Sequence, residues 1–347
     1  MIHRRRIAKA GLGALLAAVF LSPIAAPKPS AEPDEAFAFD DFPLQEPLEH
    51  PAWFKQSFLD LPEDLEEATA AGKKGIIVYF GQRRCAYCRM LMEVNFGLED
   101  IVTYTQRHFD IIPVDIWGVD ELTDMQGETL SEREFAVREN TNFTPSLIFY
   151  DSEGEVALRL RGYYPPYKFR AALEYVAGGF HRQETLSDYL LRAEDALTFD
   201  PDELNQEPFF SPPPYALERT RFPAEQPLAV FFEQGNCHAC DILHAQPLQE
   251  EAISDLFGQF ESVQLNIRSD TPVITPAGQK TTASAWAKEL GLFYTPSLLF
   301  FDQHGREIIR LDSVVQFYRL RNVLTYITSG GYRTEPRYQR WRVSSGF

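Results

Sequence analysis

Cysteine, methionine and tryptophan are scarce, with four of each in 347 residues. A disulfide-dense scaffold would carry more cysteines, scattered along the chain, so that class is excluded. Positive charge is also in deficit, at 33 Lys and Arg against 50 Asp and Glu. Nucleic acid calls for a basic face, and this composition argues against such a partner. The apolar run from Ala10 to Leu21 is shorter than the ~20 residues a bilayer span needs. Aromatic side chains are plentiful: 27 Phe and 15 Tyr in a chain that is 44% hydrophobic. Length and apolar content together suit two domains, each with its own core.

Arg4, Arg5 and Arg6 precede the apolar run, and the small residues Ala25 and Ala26 follow it. That layout is an export signal, expected to be cleaved and to occupy residues 1–26. An uncleaved membrane anchor is the alternative, and membrane contact is expected only in that case. "RRRIAK" loosely resembles a twin-arginine signal, with Ile7 and Ala8 off the pattern. The expectation is a periplasmic bacterial protein, in a compartment where disulfides persist.

The rest of the chain reads as one domain written twice. Cys85 and Cys237 are 152 apart, and so are Gly178-Gly179-Phe180 and Gly330-Gly331-Tyr332. "TPSLIFYDSEGE" and "TPSLLFFDQHGR" begin at Thr144 and Thr295, 151 apart. In each copy an apolar run (Ile76–Phe80, Leu228–Phe232) reads as a buried strand, and a cysteine pair follows at once at the start of a helix. A second helix and strand come next (Ile111–Asp115, Val263–Ile267). A third helix then starts near Ser131, where Ser131 and Glu134 form a capping box, with its counterpart near Thr282. Thr-Pro leads into a hairpin with its turn at Gly154 or Gly305, and a last amphipathic helix stops at each Gly-Gly. Strands alternating with helices, then a hairpin, give an α/β fold with a central mixed sheet flanked by helices.

The expected boundaries are a Pro-rich tether over 27–51, domain 1 over 52–185, a helix and Pro-rich linker over 186–221, and domain 2 over 222–342. Seven prolines lie between Pro23 and Pro51 and seven between Pro201 and Pro227, so both stretches read as extended connectors or as disordered filler. "EDLEEA" reads as the solvated face of a helix that buries Leu61, Leu65 and Ala68. Tyr163-Tyr164-Pro165-Pro166-Tyr167 reads as turn packing, with a recognition surface as the alternative.

All four cysteines lie in the pairs Cys85/Cys88 and Cys237/Cys240. A zinc ribbon needs a second pair about 15–20 residues away, but Cys88 and Cys237 are 149 apart. Cys237, Cys240 and His244 share one helical face and could hold a metal, which would make the protein a metal or thiol-protein chaperone rather than an enzyme. Copy one has Met92 where His244 would be, so that reading explains one site only. Haem attachment needs His after the second cysteine, and Arg89 and Asp241 stand there. A bridge across two residues closes almost no loop and stabilises little. Redox exchange uses every feature. At a helix start the first sulfur meets free N–H groups and the positive end of the dipole, which can lower a thiol pKa from ~8.5 to roughly 3.5–7.5. The second sulfur, one turn on, can then attack a mixed disulfide.

"VYFGQRRCAYC", "TNFTPSLIFYD" and "FYRLRNVLTYI" resemble the thioredoxin fold, and within it the SoxW-type periplasmic thioredoxins, as a tandem member. The resemblance covers roughly residues 52–185 and 222–342 and implies two tandem thioredoxin-like domains acting as a thiol–disulfide oxidoreductase without a cofactor. It implies that Cys85 and Cys237 attack and that Cys88 and Cys240 resolve. It also implies that Thr144-Pro145 and Thr295-Pro296, with cis prolines, bind substrate backbone and discourage metal capture. The partners it implies are exported proteins bearing thiols or disulfides, with a membrane thiol donor of electrons as a further candidate. The direction of flow stays open. Ordinary thioredoxins carry a buried acid six residues before the first cysteine; Tyr79 and Phe231 stand there instead, and the W-C-G-P-C loop is absent. His238, directly after Cys237, is expected to tune that thiolate and make the second dithiol the more oxidising. Arg84 plays the corresponding part in copy one, screened by salt on an exposed loop.

Overall fold

The computed structural model describes residues 37–194 and 204–347. The expected signal, the first part of the tether and a short piece of the linker lie outside the described residues. Domain 1 opens with α1 (Leu61–Ala70), capped by the Asp60 side chain. Its buried face is Leu61, Leu65 and Ala68, together with Asp64. β1 (Gly75–Gly81) follows, with all seven residues buried. Its side chains alternate as a two-faced strand must. Ile76, Val78 and Phe80 pack with Leu61 and Phe135, while Ile77 and Tyr79 pack with Cys85, Cys88 and Phe149.

The chain then forms α2 (Ala86–Met90), which passes directly into a π-helical turn at Leu91–Asn95. α3 (Glu99–His108), β2 (Phe109–Asp115) and a short hairpin, β3 (Glu121–Thr123) with β4 (Thr129–Ser131), come next. α4 (Glu132–Arg138) starts at the expected Ser131/Glu134 capping box. β5 (Ser146–Asp151), β6 (Val156–Arg161), α5 (Pro166–Ala177) and α6 (Leu186–Glu194) complete the domain. The sheet order is β2-β1-β5-β6, with β1 parallel to β2 and antiparallel to β5.

Domain 2 repeats this plan. β7 (Tyr215–Ala216), β8 (Leu228–Glu233), α7 (His238–Ala245), α8 (Glu251–Phe257) and β9 (Glu261–Asn266) lead to the hairpin of β10 (Pro272–Ile274) and β11 (Lys280–Thr282). α9 (Ala283–Glu289), β12 (Ser297–Phe301), β13 (Glu307–Leu311) and α10 (Phe317–Thr328) follow, then α11 (Gly331–Thr334) and α12 (Tyr338–Ser344). The sheet order is β13-β12-β8-β9, the same arrangement as in domain 1. The two small hairpins carry no sequence signal, because three-residue strands are too short to show a period of two.

The described parts of the stretches expected as connectors are packed. Phe209 and Phe210 lie against the core of domain 2, β7 pairs with β10, and Arg219, 2% exposed, meets Glu261 at 2.5 Å. Phe37, Phe39 and Leu48 pack against the core of domain 1, and Leu48 N–H donates to Arg83 C=O at 2.7 Å. Aromatic residues interleaved with the prolines give both stretches apolar surface to bury, so they adhere rather than float.

The domains meet at equivalent loops. Val314 N–H donates to Tyr163 C=O at 3.1 Å, and Tyr164 stacks on Phe293 and meets Tyr294 edge-on. The Tyr-Tyr-Pro-Pro turn therefore packs at the domain junction. Gly162 has φ +113°, and a Cβ there would lie 2.1 Å from Ser313 Oγ. Only a residue without a side chain admits this approach.

Candidate active site

Each cysteine pair sits where a buried strand ends and a helix begins. Cys85 has extended backbone, φ −101°, and its sulfur accepts from Cys88 N–H at 3.0 Å, so the cysteine itself caps α2. Cys237 caps α7 in the same way, accepting from Cys240 N–H at 3.1 Å. Each pair is joined as a disulfide, Cys85–Cys88 and Cys237–Cys240. Thr144 Oγ1 lies 3.3 Å from Cys85 Sγ, and Thr295 Oγ1 lies 3.4 Å from Cys237 Sγ. The Thr144-Pro145 and Thr295-Pro296 peptides are both cis. The fold thus brings each pair together with the Thr-Pro loop of its own copy.

The first cysteine of each pair is the more accessible, but narrowly: Cys85 is 5% and Cys237 7% exposed, against 0% for Cys88 and 1% for Cys240. The two sites differ sharply in their covers. At the first, Ala86 and Tyr87 between the cysteines are both buried. Tyr87 O–H donates to Asp41 at 2.9 Å, and its oxygen accepts from Gln316 N–H at 2.8 Å. Asp41 also accepts from the backbone N–H groups of Tyr318 and Arg319, at 2.9 and 2.8 Å, and so caps α10 from another part of the chain. Burial raises the Asp41 pKa, against the pull of these hydrogen bonds and of the Arg319 charge. Arg319, 8% exposed, lies over the Tyr87 ring and donates to Thr144 C=O at 2.9 Å. Domain 2 therefore sits on the first site and occupies the carbonyl of its Thr-Pro loop.

At the second site His238 is exposed, Ala239 stands where copy one has Tyr87, and Thr295 is half-buried where Thr144 is buried. The Phe37 ring meets the His238 ring edge-on at 5.2 Å. Arg84 is exposed and lies on the rim of the cavity at Cys85.

His244 does not join the sulfurs. Its Nδ1 lies 2.8 Å from Glu207 and its Nε2 3.1 Å from Glu233. Both ring nitrogens are engaged, so the cysteine–histidine metal cluster considered from the sequence is not assembled. Among the described residues no group of three or more His, Cys, Asp and Glu is placed to hold a metal. Glu233 is fully buried and also accepts from Gln264 Nε2 at 2.8 Å. Burial works to lower the His244 pKa, but the bonds and charges of Glu233 and Glu207 outweigh it and raise the pKa. Domain 1 has no such pair. A Cβ at Gly81 would lie 2.5 Å from the Tyr79 hydroxyl, so that ring takes the space beside the glycine. Asp41, Tyr87 and Arg319 were not singled out from the sequence. Tyr87 carried the one available signal, as a bulky residue inside a pair whose copy has alanine.

A family model described as "Thioredoxin-like domain" matches residues 61–177 and again 217–328, more than half of the chain. The chain belongs to the thioredoxin-like domain family. A thioredoxin-fold protein from Helicobacter pylori is 23% identical, with a TM-score of 0.33 over 42% of this chain and 88% of that one. A thioredoxin from Thermus thermophilus is 24% identical, with a TM-score of 0.28 over 34% and 83%. The first two thioredoxin domains of Saccharomyces cerevisiae Eps1p are 13% identical, with a TM-score of 0.22 over 76% and 95%. No curated protein matches. The thioredoxin-like fold is present twice, each time with its C-x-x-C pair at a helix start.

Proposed function

We propose that this thioredoxin-like protein is an exported thiol–disulfide oxidoreductase in which each C-x-x-C pair cycles between dithiol and disulfide. One observation carries the reading: in both domains the first sulfur caps a helix and lies within 3.4 Å of the threonine before a cis proline. The capping N–H and the helix dipole stabilise negative charge on that sulfur, so it is the thiolate that attacks. In the reducing direction Cys85 or Cys237 attacks a partner disulfide and one partner thiolate leaves. Cys88 or Cys240 then attacks the first sulfur, forming the observed bridge and releasing the second partner thiolate. Two electrons pass to the partner; the reverse sequence oxidises it.

Partner proteins with exposed thiols or disulfides suit the second site, whose Thr295 and His238 are accessible. Export rests on the arginine triplet and the apolar run, and the finer SoxW-type resemblance agrees with that compartment. The test is trapping in periplasmic extracts. Cys240→Ser should accumulate mixed disulfides through Cys237, and Cys237→Ser should accumulate none. Traps appearing only with Cys237→Ser would reverse the roles, and their absence from both variants would remove the reading.

A further inference from the structure

Beside Cys85 lies a cavity of about 430 Å³, within the size range of small-molecule sites. Its wall is shared by residues 41–43, the loop before α2, the start of α10, and α12. Four arginines line it, Arg84, Arg319, Arg321 and Arg342, against one acidic side chain, Asp41. Asp41 is already committed to Tyr87 and to two backbone N–H groups. Among the described residues Arg321 Nε and Arg342 Nε are buried without a hydrogen-bond partner, and so is Arg319 Nη1, which faces Gly162 at the domain junction. What the arginines present to the cavity is positive charge and the remaining N–H groups of their forks, which suits an anion. Thr144 C=O is occupied by Arg319, so the edge on which a protein strand would pair is closed.

We propose that this cavity binds a small anionic sulfur compound, a low-molecular-weight disulfide or thiol bearing carboxylate groups, as the exchange partner of Cys85. This rests on the thiol–disulfide reading of the same site and adds the chemistry of its substrate. The Cys85 thiolate attacks one sulfur of the ligand R–S–S–R, and R–S⁻ leaves and takes a proton from water. Cys88 attacks Cys85 in the resulting mixed disulfide, the second R–S⁻ leaves, and the Cys85–Cys88 bridge forms. The dithiol loses two electrons and two protons, and the ligand disulfide gains both. The guanidinium groups hold the carboxylates and stabilise the departing thiolate, a use of arginine that suits its fork of donors. The second site has a different lining. The cavity touching Thr295 carries Lys168, Arg268 and Lys288 but also Asp188 and Asp270, and Cys237 is not in its wall. Small anions are therefore the business of domain 1.

The test uses the full chain with Cys237→Ala and Cys240→Ala, reduced, so that only Cys85/Cys88 reports. Its oxidation is timed with three small disulfides of different charge: dithiodipropionate (dianion), hydroxyethyl disulfide (neutral) and cystamine (dication). Each rate is divided by that of the same disulfide with free dithiothreitol. The dianion should exceed the dication by about tenfold or more, within the range of electrostatic steering, and the gap should shrink in high salt. Arg321→Gln with Arg342→Gln should narrow the gap by slowing the dianion's reaction more than the neutral disulfide's. Equal corrected rates for all three, or a preference for cystamine, would overturn the anion site and leave the redox reading standing. No oxidation by any of them would remove both.

Discussion

The cover on the first site can be lifted at one residue. Asp41→Ala removes the acceptor of three donors: Tyr87 O–H, Tyr318 N–H and Arg319 N–H. Losing a helix cap costs typically about 1 kcal/mol. Leaving the buried Tyr87 hydroxyl without its acceptor adds roughly 1–2 kcal/mol. The contact between residues 37–50, α10 and the first site should therefore weaken by about 2–3 kcal/mol, which raises the population with that cover released by roughly 30- to 150-fold. The assay is iodoacetamide alkylation of Cys85 in reduced protein lacking Cys237 and Cys240, with and without the substitution. Alkylation should accelerate about tenfold or more, short of that ceiling because the closed form also reacts slowly. Thermal unfolding should be lowered in parallel. If Cys85 reacts at the same rate while unfolding shifts, Asp41 supports the fold but does not guard the site. If neither changes, the capping argument is refuted.

His244 gives a pH signature. Its folded pKa is raised above the ordinary histidine value, so the stability it contributes is fully present below about pH 6.5 and is lost as pH rises through the folded pKa. Urea midpoints from pH 6 to 9 should fall with pH in the native sequence, and His244→Gln should flatten that slope; parallel profiles would refute the assignment. Gly162→Ala should loosen the domain junction by roughly 1–3 kcal/mol, from overpacking against Ser313 and the strain of positive φ. It should be read as a lowered thermal midpoint that Ser313→Gly partly restores. Equilibration of the single-pair proteins with glutathione should place Cys237/Cys240 about 30 mV or more above Cys85/Cys88, equivalent to ~1.4 kcal/mol. His238→Ala should lower that value, and an equal or lower potential for the second pair would refute the role of His238.

The sequence by itself determined the repeated α/β plan, because its signals are local. The unbroken apolar runs Ile76–Phe80 and Leu228–Phe232 specify strands buried on both faces, and a cysteine soon after such a strand falls at a helix start. Ser131 and Glu134 fix their helix start within four residues. Thr144-Pro145 and Thr295-Pro296 announce themselves by recurring 151 residues apart, within one residue of the cysteines' offset. Tertiary structure alone decided that two similar motifs became two unlike sites. Asp41 caps a helix 278 residues away, and Arg319 reaches Thr144 across 175. No periodicity, cap or spacing in the chain encodes such a pairing. It exists because equivalent loops of the two domains meet, at Gly162 and Ser313 and at Tyr163 and Val314, and carry the start of α10 onto the first cysteine pair. The proline-rich stretches follow the same logic. Their composition reads as connector, but Phe37, Phe39, Phe209 and Phe210 pack their rings on the two cores once folded surfaces lie within reach, and the first of these stretches brings Asp41 to Tyr87 and α10.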